Sequence, residues 1–525
     1  MPLAGPRVAS FAFAAALAVA GAVRAQAPML DYESQSRAVQ ARTAAEWRLA
    51  FRPALPVLQQ TVLQLRTAAG ASPEARDAAD RLVASAGAQP PADARRSLWQ
   101  AVTLLRGATW SPAREFEGAL DFSPGSPVWS ASRASIAFDM LYPVSGRAAR
   151  YVVDLHASAP TTSATPQLGD RVRTLATGTL PSKLPRSVPV RLNDVPDGAY
   201  LVVATVTVDA DVAARVVKPV YVVRDLEKRE AALLRQVAAV PAHEEAKALL
   251  AYPFALARGV RDGQREIVSY DFPRAMRRSK EIAAALAAGR DPVRQGTGFQ
   301  ERAYRFPETG ELIPFQLYVP TSWTPDRRWP LVVALHGANL DESNMLGRGK
   351  GQMQRLAEER GFIVAAPLGY RLNSAYGSAR MAMLARDPER ARRSEQDVLN
   401  VVELVGAEYG VDPARRYLTG NSMGGGGTFW IGGRHPELWA AIAPVAFGGV
   451  LPEDAPGLTT LPIYAVCGEN DELGMLERMQ ESLVVLRRAG LAPAFVEIPG
   501  GTHTGAFDTA LPGIFAFFDG HRKRS

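Results

Sequence analysis

The chain has 525 residues, enough at roughly 100–200 residues per domain for about three domains, and its 47% hydrophobic and 22% charged residues exclude wholesale disorder. Sixty Lys and Arg against 53 Asp and Glu give a net charge of +7, but bases and acids are interspersed without a long block, so there is no nucleic-acid-binding footprint. A single cysteine, Cys467, excludes an internal disulfide and a structural Cys₄ or Cys₂His₂ zinc site.

Residues 1–25 read as a secretory signal. Arg7 supplies the positive n-region, residues 8–23 form an Ala-rich apolar run, and Val23-Arg24-Ala25 places small residues at the cleavage positions. An apolar run of about 16 residues falls short of the roughly 20 needed to span a bilayer, and no Lys/Arg stop follows at once. No other stretch is apolar enough to span. The mature chain is expected to begin at Gln26 with a net charge of +5, in the periplasm or outside the cell.

Residues 26–110 carry apolar positions at helical spacing, as in Val57, Leu58, Val62, Leu63 and Leu65, or Leu98, Val102, Leu104 and Leu105. Gly70-Ala71-Ser72-Pro73 and residues 87–91 break the segment into antiparallel pieces. Over residues 111–225 the period changes to two, with runs at 134–142, 151–156, 188–192, 200–208 and 216–223, which predicts a small β-sandwich. Asp194-Val195-Pro196-Asp197-Gly198-Ala199-Tyr200 resembles the turn and tyrosine that open the penultimate strand of immunoglobulin-like domains. With no exposed aromatic row in sight, a structural role is expected for this module. Residues 226–298 return to helical periodicity and end in a Gly-rich linker.

From residue 299 to 525, strand, turn and helix alternate regularly, the pattern of a mostly parallel sheet with helices on both faces. Strands are predicted at 315–319, 331–335, 362–366, 416–420, 441–445, 463–466 and 494–498, and a helix with a capping box at Ser394-Glu395-Gln396-Asp397. Reactive groups in such sheets gather at the carboxyl ends of the strands. One such end reads Gly420-Asn421-Ser422-Met423-Gly424, a G-x-S-x-G between strand and helix, as a nucleophile elbow requires. Ser422 is the candidate nucleophile.

A serine hydroxyl needs a base to take its proton. Of six histidines, His156 and His243 lie in the β-rich and helical regions, His336 on an earlier strand end, His435 at the end of the nucleophile helix and His521 in the basic tail. His503, in Gly500-Gly501-Thr502-His503 after the last strand, is the candidate base. A carboxylate must fix its tautomer, and the loop Cys467-Gly468-Glu469-Asn470-Asp471-Glu472 offers Asp471, with Glu469, Glu472 and the more distant Asp508 as substitutes. Gly337 lets the Ala338 N–H pair with the Met423 N–H as oxyanion donors, Asn339 being the fallback and His336 a brace for the loop. Tyr370, Tyr376, Trp430 and Phe447 are candidates for either the pocket or the core, and residues 369–393 are long and irregular enough for a lid or substrate loop.

With these residues the chain resembles the α/β-hydrolase family, and within it secreted esterases and peptidases related to polyhydroxybutyrate depolymerases, feruloyl esterases and prolyl-oligopeptidase-like enzymes. The resemblance runs from about Glu301 to the end. Beyond the elbow it rests on Leu335-His336-Gly337, Ala366-Pro367-Leu368-Gly369-Tyr370, Val411-Asp412-Pro413-Ala414-Arg415-Arg416-Tyr417 and His435-Pro436-Glu437-Leu438-Trp439-Ala440-Ala441-Ile442-Ala443. Asn421 stands where many relatives have an apolar residue or Gln, and Ala338-Asn339 replaces the additional glycines of lipase oxyanion loops. The resemblance implies a metal-independent, cofactor-free serine hydrolase acting on a small-molecule or polymer-linked carboxylic ester. A prolyl-oligopeptidase-like peptidase and a non-catalytic binding protein on a hydrolase shell are the alternatives.

Overall fold

The computed structural model describes residues 42, 45–46, 48–67, 70–145, 147–158, 168–181, 184–209, 212–241, 243–378, 381–385 and 387–523. The expected signal at 1–25 lies outside the described residues. Among the described residues no helix is long and apolar enough to cross a membrane.

Helices α1 (Leu55–Thr67), α2 (Pro73–Ala86) and α3 (Pro91–Leu105) come first. Helix α2 starts where it does because the Ser72 hydroxyl accepts the Ala75 N–H at 3.2 Å and Pro73 suits a first turn that needs no N–H. Leu58, Val62, Leu98, Trp99 and Val102 close the three helices on a core of their own. Arg52 ties this segment to the next: Nε donates to the Leu120 carbonyl at 2.8 Å and Nη2 to that of Glu117 at 2.9 Å. Burial lowers its pKa to about 10.

After α4 (Pro112–Ala119) the chain builds two sheets. Strands β1 (Leu120–Ser123), β3 (Arg133–Met140) and β6 (Arg186–Arg191) pair antiparallel in the order β1-β3-β6. Strands β2 (Val128–Trp129), β4 (Ala149–Ala157), β5 (Arg171–Leu180), β7 (Gly198–Val208) and β8 (Val212–Val222) form the second, in the order β2-β8-β7-β4-β5. Phe122 and Phe138 from one sheet meet Tyr151, Val153 and Val202 from the other in one core. The Tyr200 hydroxyl donates to the Pro196 carbonyl at 2.9 Å, pinning the turn before β7. Strands β1, β2 and β5 have no counterpart in the sequence prediction. The first two are too short to show a period, and β5 is a largely exposed edge strand whose Arg and Thr side chains mask any apolar alternation.

Helices α5 (Leu226–Val237), α6 (Glu244–Arg261) and α7 (Phe272–Ala287) pack their apolar faces against Ala303 and Leu312 at the edge of a third sheet. That sheet contains β9 (Gly298–Arg305), β10 (Leu312–Val319), β11 (Trp329–Leu335), β12 (Ile363–Pro367), β13 (Val411–Asn421), β14 (Ala441–Val445), β15 (Tyr464–Gly468) and β16 (Ala494–Ile498). Its order is β16-β15-β14-β13-β11-β12-β10-β9, parallel from β16 to β12 and antiparallel at β10 and β9. Strands β11, β12 and β14 are buried at every residue, as strands covered on both faces must be. The covering helices are α8 (Ser343–Arg360), α9 (Pro388–Tyr409), α10 (Met423–Arg434), α11 (Met475–Arg488) and α12 (Gly505–Asp519).

The structure departs from the sequence expectations at three points around this sheet. Helix α9 opens at Pro388, not Ser394, because the Asp387 carboxylate caps the Arg390 N–H at 2.6 Å and proline fits the first position. Ser394 is a buried residue inside the helix. The later part of the 369–393 segment is therefore helical, not a loop. The edge strand β9 was also missed, since its Gln, Glu and Arg side chains interrupt the apolar pattern.

Arg302 of β9, with a side chain 1% exposed, joins α6 to the third sheet by pairing with Glu245 and with Glu408 of α9. Burial pushes its pKa down, but the two carboxylates outweigh that and hold it above the usual guanidinium range.

The Asp412 carboxylate near the start of β13 accepts from Arg415 Nε and Arg522 Nη2, each at 2.8 Å, and so ties that strand to the C-terminal tail. Partial burial pushes its pKa up, yet these bonds bring it down to about 2. A lowered carboxyl pKa contributes stability that is present above the unfolded value of about 3.9 and is lost as pH falls through the folded value. Asp412→Asn is expected to destabilise by about 1 kcal/mol at pH 7 after allowance for solvent screening. About half of that difference should be gone at pH 3 in paired urea titrations.

Candidate active site

Strand β13 runs in the middle of the parallel set, beside β11 and β14, and the strand order reverses between β11 and β13. Such a reversal opens a crevice at the carboxyl ends. The register aligns Leu335 with Gly420 and Asn421 with Val445, so the loops that follow these strands emerge side by side.

Ser422 sits at the turn with φ +59° and ψ −120°, a backbone conformation that is costly for a residue with a side chain, and its N–H donates to the Val445 carbonyl at 2.9 Å. The glycines that follow have distinct neighbours. A Cβ on Gly424 would lie 2.1 Å from the Leu335 carbonyl oxygen, one on Gly425 2.4 Å from that of Val445, and one on Gly427 2.7 Å from the Tyr376 side chain. Helix α10 is thus hemmed in on several faces by backbone and aromatic rings, and its glycine run follows from close approach despite its poor helix propensity.

The loop after β16 brings His503 back over this turn. Its Nε2 is 2.8 Å from Ser422 Oγ, and its Nδ1 is 2.8 Å from Asp471 Oδ2. The Asp471 side chain is 0% exposed and its Oδ1 also accepts the Leu473 N–H at 3.0 Å. A carboxylate there takes the Nδ1–H hydrogen bond, which leaves Nε2 free to accept from the serine hydroxyl. The other acids in question lie elsewhere. Glu469 accepts the Gly500 N–H at 2.7 Å and Glu472 the His503 N–H at 2.9 Å, so both hold the backbone of the histidine loop. Asp508 accepts from Arg348 Nε at 2.6 Å. These anchoring roles were not legible beforehand, because four loop residues contain three interchangeable acids.

Gly337 follows β11 and runs alongside the turn, its Cβ position 3.6 Å from Ser422 Cβ. Asn339 is committed: its N–H donates to Asn373 Oδ1 at 2.8 Å, and Asn373 Nδ2 donates back to Asn339 Oδ1 at 2.9 Å. This amide pair braces the loop and removes the Asn339 backbone N–H as a free donor. Asn373 gave no sequence signal. Among the described residues the Ala338 N–H has no hydrogen-bond partner, and Met423 opens α10, where N–H groups lack intrahelical acceptors. Buried His336 spans the Gly337 and Leu368 carbonyls, each at 2.8 Å, and burial lowers its pKa. Both of its ring nitrogens therefore face carbonyls away from Ser422, and the neutral ring donates to one of them.

Tyr370 and Tyr376 belong to the core of the third sheet. Trp430 and Phe447, only partly buried, line a cavity of about 220 Å³ beside α10 together with Phe429 and Val450. The Cys467 thiol is buried 3.7 Å from Asp471 Oδ2, and burial pushes its pKa up to about 12.

Two outcomes follow from this packing. Gly424→Ala is expected to cost on the order of 3 kcal/mol, whereas Gly347→Ala, where a Cβ meets nothing within 4 Å, leaves the melting temperature unchanged or raises it slightly. Cys467 is expected to resist iodoacetamide in the native protein at pH 8 and to react once the protein is unfolded in urea, as mass spectrometry of the alkylated chain would show.

Residues 307–485 match the family model described as "Putative esterase". A bifunctional acetylxylan esterase/xylanase from Neocallimastix patriciarum is 26% identical over 166 residues, 32% of this chain, and the chain spans 22% of that relative's length. Among solved structures, a thermostable esterase is 15% identical, with 75% of this chain and 98% of that chain covered and a TM-score of 0.38. A CE1 ferulic acid esterase from Anaeromyces mucronatus, in complex with ferulic acid, is 17% identical, with 43% and 92% covered and a TM-score of 0.34. The matched segment holds Ser422 and Asp471 and is similar to the esterases of that family.

Proposed function

We propose that the protein is an exported serine hydrolase that cleaves a carboxylic ester through an acyl-enzyme. The observation that carries this reading is the unbroken line Ser422 Oγ, His503 Nε2, His503 Nδ1, Asp471 Oδ2, with 2.8 Å at each hydrogen bond, set on a strained turn. Ser422 Oγ attacks the ester carbonyl carbon while its proton passes to Nε2, and Asp471 stabilises the imidazolium. The oxyanion is met by the N–H groups of Ala338 and Met423. Collapse expels the alcohol oxygen, which takes the proton from Nε2. A water then gives its proton to the same nitrogen and attacks the acyl carbon; collapse breaks the bond to Ser422 Oγ, which takes that proton back from Nε2 as the acid leaves.

The relative's name, an acetylxylan esterase, supports an acetyl ester carried on a polysaccharide as our favoured substrate class, with feruloyl and polyester substrates as further forms. The apolar run at residues 8–23 supports export to the periplasm or beyond. We assign residues 26–110 and 226–298 as helical segments, 111–225 as an immunoglobulin-like sandwich and 299–525 as the catalytic domain. The Tyr200 hydroxyl on the Pro196 carbonyl supports the sandwich assignment.

The test is turnover of p-nitrophenyl acetate, p-nitrophenyl butyrate and methyl ferulate beside a proline-linked chromogenic amide, with wild type and Ser422→Ala. Ester turnover is expected to fall on the order of 10⁴-fold or more in the variant. Wild-type activity is expected to decline on acidification, because a protonated imidazole cannot accept the serine proton. Ester turnover that survives Ser422→Ala, or hydrolysis confined to the amide, would overturn the reading.

A further inference from the structure

Helix α8 is interrupted at Arg348–Gly351, where Gly349, Lys350 and Gly351 take left-handed angles with φ of 57°, 54° and 74°. The interruption leaves Arg348 in extended backbone with its side chain 11% exposed. The guanidinium reaches three separate parts of the chain. Nε donates to Asp508 Oδ1 at 2.6 Å, Nη2 to the Thr504 carbonyl at 2.6 Å, and Nη1 to Asn421 Oδ1 at 3.2 Å. It also lies 4.7 Å from the centre of the Phe507 ring.

Asn421 completes the connection. It is 2% exposed, and its Nδ2 donates to the His503 carbonyl at 3.2 Å. Arg348 therefore contacts the residue before Ser422 and the residue after His503 while touching neither the hydroxyl nor the imidazole. An apolar side chain at position 421 could make neither bond, and an aspartate would lose the donor to His503.

Net stability is a weak explanation for this arrangement. Removing a guanidinium from water is costly, and a partly buried ion pair returns little relative to an apolar replacement. A planar fork with fixed donor directions does something else: it sets distances between the groups it joins. We infer that Arg348, acting through Asn421 and Thr504, is a positioning residue that holds the histidine loop at hydrogen-bonding distance from the nucleophile turn. The inference rests on the ester hydrolysis proposed above.

The test compares Arg348→Met, Arg348→Lys, Asn421→Leu and the double variant Arg348→Met with Asn421→Leu. Melting curves, kcat and KM for p-nitrophenyl acetate, and the rate of labelling by a fluorophosphonate probe are read for each. For Arg348→Met and Asn421→Leu, kcat and the labelling rate are expected to fall about 10- to 100-fold, with KM within about twofold, since a small misplacement of reacting groups costs rate more than binding. Arg348→Lys should recover part of the loss, because an ammonium can keep one or two of the three contacts. The double variant should be no worse than the poorer single one, as for residues acting in one connection.

A kcat for Arg348→Met within about twofold of wild type would overturn the inference, as would losses confined to KM or multiplying fully in the double variant. If Arg348→Met fails to fold, Asn421→Leu and Arg348→Lys decide by the same criteria. Ester turnover that persists in Ser422→Ala refutes the hydrolase reading itself, whereas Ser422-dependent turnover indifferent to Arg348 refutes only the positioning role.

Discussion

The site depends on one steric constraint: the first turn of α10 must begin within contact of β11 and β14. The carbonyls of Leu335 and Val445 stand where Cβ atoms at positions 424 and 425 would go. Only a glycine run lets the helix start there, and only that start points the Ser422 side chain off the strand end with its N–H tied to Val445. The other features build outward from this point. The loop after β11 lies alongside the turn, and the loops after β15 and β16 bring a carboxylate and an imidazole across it from strands farther along the same edge.

Around that contact the protein places acids in two kinds of position. Asp471 faces the imidazole, whereas Glu469 and Glu472 face backbone N–H groups of the loop that carries it. All three are chemically alike, and their tasks differ only through the direction in which the exit loop of β15 presents each one. The loop after β11 uses amides in the same way: Asn339 and Asn373 exchange two hydrogen bonds, while the neighbouring Ala338 N–H has no partner among the described residues. The geometry is thus fixed by partners one layer removed from Ser422 and His503, as precise sites require.

Much of the parallel sheet was legible because its strands are buried on both faces and read as continuous apolar runs, as at residues 331–335 and 441–445. The elbow was legible because G-x-S-x-G fell between a strand and a helix. Elements at edges were not. Strands β5 and β9 carry polar side chains facing solvent or other charges, and their pairing is decided by neighbours that sequence periodicity does not reveal. The start of α9 was misread because two capping signals lie seven residues apart, and Asp387-Pro388 captured the first turn. Asn373 and Arg348 could not be singled out, since an asparagine or arginine acquires a role only through what the fold brings to it.

The ion cluster at Arg302 bears on how the segments of the chain can come apart. A guanidinium 1% exposed has its counter-charges on α6 and α9, which belong to different segments. Peeling the second helical segment from the sheet would strand that cation beside a single carboxylate with part of its apolar surroundings intact, a state far less favourable than either the assembled or the fully hydrated one. The penalty discourages partial opening along this seam, so this helical segment and the sheet are expected to come apart together, in one unfolding transition for the two.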